Sequence, residues 1–343
     1  MKLKLRPQLI GTALVFLALV LSPIFLADQN YVLRVLTTSA TYAIAAYGLN
    51  LILGMTGQLS LAHGGFFGIG VYTVGLLTTD HDWPFWAAFM VAVAGTTVVG
   101  YACGLIALRT RGAYFAIFTL AIGFIIYILA TRWESLTHAH SGVSGVKFPE
   151  NIGPLDFSEP ITMYYLVLLF LIVSAYVTYA LRNSGIGRTL VAIRTSEDLA
   201  GSIGVNVGLS NQLAFAASTT FAAAAGGLFA AVQGFVGPES ASIDLTFSML
   251  MYVLVGGMGT VMGPIVGAFL VAFIFEMFQD LQSYRYLVLG PIIVALVIFA
   301  PRGIVGYLNQ LVDRWFASAR DSRARIDTPH EEPSEVTEDR GSR

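Results

Sequence analysis

The sequence predicts an all-α polytopic membrane protein of about ten transmembrane helices, one of them broken near residues 54–65. Three observations carry this. Hydrophobic residues make up 56% of the chain and charged residues 12%, against a charged share of about 25% in soluble domains. Mean hydropathy is +0.72. Apolar runs approaching the ~20 residues that cross a bilayer recur between short polar stretches. The net charge of −2 is uninformative about nucleic acid; the basic residues sit in short loops and not in one patch, so no nucleic-acid partner is expected. Cys103, the single cysteine, lies in an apolar run, so no intrachain disulfide forms.

Taken in order, Lys2, Lys4 and Arg6 precede a first span, Leu9–Leu26, which lacks a small-x-small cleavage site and reads as an uncleaved helix. Val32–Leu53 returns. After the glycine-rich MTGQLSLAHGG, Phe66–Leu77 crosses outward, and Pro84–Leu108 crosses back to Arg109 and Arg111. An arginine costs about 2.5–3.5 kcal/mol at a span centre, so this pair belongs at the inner surface. Tyr114–Ala130 leads to the long outer loop Arg132–Pro160, and Ile161–Leu181 returns. Leu213–Phe235, Leu245–Val261, Ile265–Phe278 and Tyr286–Phe299 complete ten spans. Every basic cluster except Arg34, Arg132 and Arg285 then falls inside, and those three sit at span ends where they snorkel. The reading places both termini in the cytoplasm. Residues 1–306 form the membrane region, 307–317 an amphipathic interfacial helix and 318–343 a disordered tail without apolar content.

Two interruptions carry the functional content. In Gly54–Gly65, Gly57, Gln58, Ser60 and His63 break an apolar stretch. Irregular backbone at membrane depth is tolerated only inside protein or along a cavity, so a broken helix lining a polar route is favoured; a plain inner loop is the alternative. The second interruption, Arg182–Asn211, reads as two short helices, with Leu190, Ile193, Leu199, Ala200 and Ile203 at near-helical spacing. Thr195 is expected to cap the second helix with Asp198 at the capping-box position, Glu197 and Asp198 suit its first turn, and Gly204 stops it. Adjacent acids, several glycines and no aromatic fit docking to a protein better than lying on lipid.

Other features read more plainly. Gly259, Gly263 and Gly267, like Gly64/Gly68 and Gly100/Gly104, have the spacing of close helix packing. His138 and His140 lack a third ligand, so no metal site is expected. Glu276, near an outer span end, reads as solvated. Glu239 and Asp244 fall in the short outer segment after the seventh span; they face an extracytoplasmic binding protein or, in the alternative, Asp244 merely caps the next helix. No lysine follows a glycine, which excludes a Walker A loop and hence ATP binding by this chain.

Seven stretches resemble successive blocks of the LivM-type permeases of branched-chain amino-acid ABC importers. They are Gly48–Thr73, Leu108–Gly123, Ser141–Val146, Gly185–Val207, Gly234–Ser240, Val255–Ala268 and Pro301–Gly306, in the expected order. The resemblance implies a ten-span permease, a second homologous permease subunit, two cytosolic ATPase subunits and an extracytoplasmic solute-binding protein. Asp198-Leu-Ala200-x-x-x-Gly204 is similar to the permease loop that meets the ATPase, with Asp for Glu and Leu for the first Ala. The resemblance thus makes Arg188, Arg194, Glu197, Asp198, Ala200 and Gly204 the expected coupling loop. The implied activity is inward movement of branched-chain or other amino acids across the inner membrane, without cofactor or covalent chemistry. A urea or short-amide permease and a passive small-solute channel are the alternatives; an intramembrane enzyme is disfavoured for want of a nucleophile–base pair or metal cluster.

Overall fold

A computed structural model describes residues 7–26, 29–277 and 303–308. The expected span Tyr286–Phe299, the tail 318–343 and most of 307–317 lie outside these residues. The rest is almost wholly helical. Helix α1 runs over Pro7–Leu26 and α2 over Asn30–Leu51, extended by a π-helical turn at Ile52–Thr56. After the break come α3 (His63–Thr79), α4 (Phe85–Ala107) and α5 (Ala113–Arg132). A short α6 (Glu134–Thr137) opens the long loop, and α7 (Pro160–Asn183) follows it. The second interruption, Arg182–Asn211, forms a knob that holds α8 (Gly185–Thr195) and α9 (Glu197–Ser202). Then come α10 (Val207–Gln233), α11 (Ile243–Gly256), α12 (Gly263–Met277) and a helix at 303–308.

Capping chemistry sets several of these limits. Asn206 starts α10 by accepting from Leu209 N at 3.0 Å, and Gly234, in the left-handed region at φ 66°, ends it. Ser184 and Ser242 cap α8 and α11 in the same way, at 3.1 and 3.2 Å. Pro160 opens α7 at the position where a missing N–H costs nothing.

Among the described residues, five helices are long and apolar enough to cross a membrane, and their burial separates core from periphery. In α2 78% of the most apolar window is buried, whereas α4 and α5 each bury 28%. Met90, Val98 and Ile106 of α4 and Ile117, Ile125 and Ile128 of α5 form an exposed apolar surface. α10 packs against α2, α3 and α4 at the centre. Lipid is as apolar as leucine, so close backbone approach replaces hydrophobic drive. A Cβ at Gly48 would stand 2.4 Å from Ser218 O, and one at Gly100 2.3 Å from Thr219 Oγ1. The paired glycines thus pack helices within this one chain. Hydroxyls buried among the helices bond their own backbone, as Thr37 does to Leu33 O (2.7 Å) and Thr78 to Val74 O (2.8 Å).

At the end of the bundle away from the knob, strand β1 (Val143–Ser144) pairs antiparallel with β2 (Phe235–Val236). This joins the long loop to the segment after α10.

Candidate functional site

The break lies between α2 and α3. Thr56 Oγ1 returns to Ile52 O at 2.6 Å within the π turn, and Gly57, at φ 77°, ends it in a conformation that favours glycine. Residues 58–62 then run without regular structure, yet Gln58, Ser60 and Ala62 are buried. Their surroundings supply partners: Leu61 N donates to Thr119 Oγ1 of α5 at 3.0 Å, and Ser60 Oγ meets His63 Nδ1 at 3.1 Å. Gly64 N, just inside α3, donates to Thr246 Oγ1 of α11 at 2.9 Å. Gln58 Oε1 and His63 Nε2 are buried without a hydrogen-bond partner among the described residues. The helix is therefore interrupted where the glycine pattern placed it, inside protein, over a shorter stretch than 54–65.

The knob forms two short helices. Its cap differs from the expected one. Thr195 still belongs to α8 and donates to Val191 O at 3.0 Å, while Ser196 takes the extended conformation a cap needs and accepts from Leu199 N at 3.3 Å. Asp198 is thereby one position short of a capping box. Gly204 does terminate α9: Gly204 N reaches Gly201 O and Val205 N reaches Ala200 O, both orphan carbonyls of the last turn. Leu190, Ile193 and Ala200 turn inward and are buried. Ile186, Leu199 and Ile203 point away from the bundle, the last two 65% and 73% exposed.

The two sets of candidate residues meet. Arg194 Nη1 donates to Gly54 O at 2.6 Å, and a Cβ on Gly57 would stand 3.0 Å from Arg194 Cγ. Glu197 pairs with Arg111, between α4 and α5, at 3.0 Å and accepts from Gln58 Nε2 at 3.5 Å. Arg188 instead folds back on Asn183 O at 3.1 Å, and the Asp198 side chain is 97% exposed. A charge-assisted hydrogen bond is worth about 1.5–3 kcal/mol, less where the cation is wet. Arg194 is therefore the strongest single tie between knob and break.

A third segment was read from the sequence only for its helix-packing glycines and as a block of the resemblance. The turn 257–262 between α11 and α12 is held from α2: Asn50 Oδ1 accepts from Gly259 N at 2.7 Å, Asn50 Nδ2 donates to Thr260 O at 2.9 Å, and Tyr47 OH donates to Val261 O at 2.6 Å. Arg182 at the end of α7 adds a bond to Gly259 O. Asn50, a lone amide in an apolar run, was the available signal.

Asp244 is the second residue of α11, in its first turn, as the helix-start reading has it. The segment before it descends along α3: Val236 lies against Gly75, Ala241 against Gly68 and Ser242 against Gly64. Gly64 is about 22 Å along α3 from Thr79, and Asp244 about 18 Å along α11 from Gly256, at 1.5 Å per residue. Asp244 thus lies well inside the length of the helix bundle, and it is exposed on the chain's surface. A first-turn acid gains about 0.3–1 kcal/mol from the helix dipole at a wet surface, whereas a charge facing lipid at mid-depth costs about 2.5–3.5 kcal/mol. Glu239, on the 3-10 turn Pro238–Ala241, is exposed on the same descending segment.

Away from the knob, two exposed ion pairs accompany the strand pair, and the Glu150 carboxylate accepts from Phe85 N. His138 Nε2 meets Asp80 at 2.9 Å and Lys147 Nζ meets Asp82 at 2.7 Å. The hydrogen bond and charge of Lys147 hold the Asp82 carboxyl below its ordinary range.

Residues 31–297 match the family model described as the permease component of the branched-chain amino acid transport system. The high-affinity branched-chain amino acid transport system permease protein LivM of Escherichia coli K12 is 33% identical over 292 residues, covering 78% of this chain and 68% of the relative. BraD of Pseudomonas aeruginosa is 25% identical over 290 residues (79% and 93%), and E. coli LivH is 25% identical over 297 residues (79% and 92%); both are permease proteins of systems with the same description. No solved structure matches.

Proposed function

The chain belongs to the branched-chain amino acid transport permease family, and from that premise we propose that it is the membrane subunit of an ABC importer carrying branched-chain or other amino acids inward. It is a multi-pass membrane permease. In this reading it assembles with a second, homologous permease, two cytosolic ATPases and an extracytoplasmic binding protein. ATP is held by the ATPases, and this chain makes and breaks no covalent bond. The knob side is cytoplasmic, both termini lie there, and Glu239 is on the approach from the binding protein.

The observation that carries the reading is the joint between knob and break. Leu199 and Ile203 offer an apolar face beyond the spans, suited to a protein partner. Behind that face, Arg194 and Glu197 grip Gly54 and Gln58. A displacement of α9 by an ATPase is passed through two side chains to the backbone of the interrupted helix. Gly57, Gln58, Ser60 and His63 then respond as the movable part of the route. A passive channel has no use for such a joint.

The complex reconstituted in proteoliposomes tests this. Leucine uptake is expected to require ATP and loaded binding protein, and to be competed by isoleucine and valine. Uptake without ATP would establish the channel instead. ATP-driven uptake of urea with indifference to leucine would reassign the solute to short amides.

A further inference from the structure

We propose that Asp244 is a binding residue for the solute: its carboxylate faces a water-filled route at the seam with the second permease and receives the solute's ammonium group. The inference rests on the importer reading and supplies a contact that reading lacks.

Four observations converge on it. Asp244 lies well inside the length of the helix bundle and is exposed. Its carboxylate makes no hydrogen bond or ion pair among the described residues; only its backbone carbonyl is used, by Ser248 Oγ at 2.9 Å. It lies two residues from Thr246, which holds the start of α3 through Gly64 N, so it borders the break directly. Phe247, 45% exposed, stands beside it on the same face of α11, offering an apolar surface next to the charge. Intramembrane acids face a bundle interior or a watery cavity, not lipid. α11 is packed against α2, α3, α5 and α12, so its remaining face looks out of this subunit.

The cation that meets Asp244 comes from one of two sources. A basic side chain of the second permease is disfavoured by the pattern of this chain, none of whose described arginines or lysine sits in the middle of a long helix, an economy expected of a homologous partner too. The solute brings its own cation: an amino acid carries one ammonium group, and an acid beside an apolar ring is complementary to an α-ammonium with an aliphatic side chain. Because the carboxylate stands alone, the contact is weak enough to release the solute onward.

The test uses the complete transporter in proteoliposomes. Asp244→Asn is expected to lower leucine uptake at least 10-fold while stimulation of ATP hydrolysis by loaded binding protein stays within twofold, and Asp244→Glu is expected to keep most of the uptake. In a Cys103→Ala background, Asp244→Cys is expected to react with a trimethylammonium thiosulfonate from water and to be protected by leucine during turnover. Wild-type uptake by Asp244→Asn overturns the proposal. So does a cysteine at this position that does not react, the result expected if a basic residue of the partner covers the site. If Asp244→Asn fails to assemble, cysteine reactivity and its protection decide. A wild-type complex that carries no amino acid would instead sink the importer reading, so the two failures are distinguishable.

Discussion

On the knob side, side chains clamp backbone across long sequence separations: Arg194 on Gly54, Asn50 on Gly259 and Thr260, Tyr47 on Val261. On the opposite side, two ion pairs between exposed side chains, Asp80 with His138 and Asp82 with Lys147, stand beside backbone ties, the two-residue strand pair and the bonds from Gly145 N and Val146 N to Gly234 O, and beside the Glu150 carboxylate, which accepts from Phe85 N. Backbone clamps leave few alternative geometries, because an amide or carbonyl released at membrane depth finds no water. Exposed ion pairs contribute about 0–1 kcal/mol and exchange with solvent. In the proposed importer, the knob side is the end expected to transmit displacement.

The comparison can be broken most directly at Arg194. Arg194→Ala should lower ATP-driven uptake at least 10-fold in assembled complexes, with Arg194→Lys recovering part of it; unchanged uptake would mean the clamp carries no motion. Next, Asn50→Leu orphans Gly259 N–H and Thr260 O. Two lost bonds at about 0.5–1.5 kcal/mol each give about 1–3 kcal/mol, read as a lower thermal midpoint of the detergent-solubilised protein. Gly57→Val forces a β-branched residue to φ 77° against Arg194, costing about 1–2 kcal/mol for the backbone alone. Uptake should slow several-fold while complex assembly persists. The smallest effect belongs to the other end. Lys147→Ala should leave the thermal midpoint and uptake at neutral pH unchanged within error. Because Lys147 depresses the folded Asp82 pKa, the pair helps only above the ordinary carboxyl value of 3.8 and is lost as pH falls below it. A shift in the acid limb of wild type relative to Lys147→Ala above pH 5 would contradict that assignment.

What the sequence made legible follows from what composition encodes. Among the described residues, the apolar helices, the two knob helices and the break near Gly57 were readable because apolar length, caps and glycine are local signals. The cap itself moved from Thr195 to Ser196, since two adjacent hydroxyls differ only in which one leaves helical geometry. The descent of residues 236–242 along α3 was not readable, because hydropathy reports polarity and not which helix a polar segment packs against. The pairing of Arg194 with Gly54 and of Asn50 with Gly259 joins residues 140 and 209 positions apart, beyond any local pattern.

That last separation has a consequence for biogenesis. α2 enters the membrane early and carries Asn50 with it, but Gly259 and Thr260 do not exist until 209 further residues have been made. At about 5–20 residues per second of synthesis, the amide waits about 10–40 s. During that interval α2 is a span with a bare polar group, open to whatever satisfies it: water near the surface, a chaperoning insertase, or another nascent helix. Closing of the 257–262 turn onto Asn50 is therefore a late step, and a chain stalled before α11 leaves Asn50, Tyr47 and Gly64 N all without the partners they hold in the finished protein.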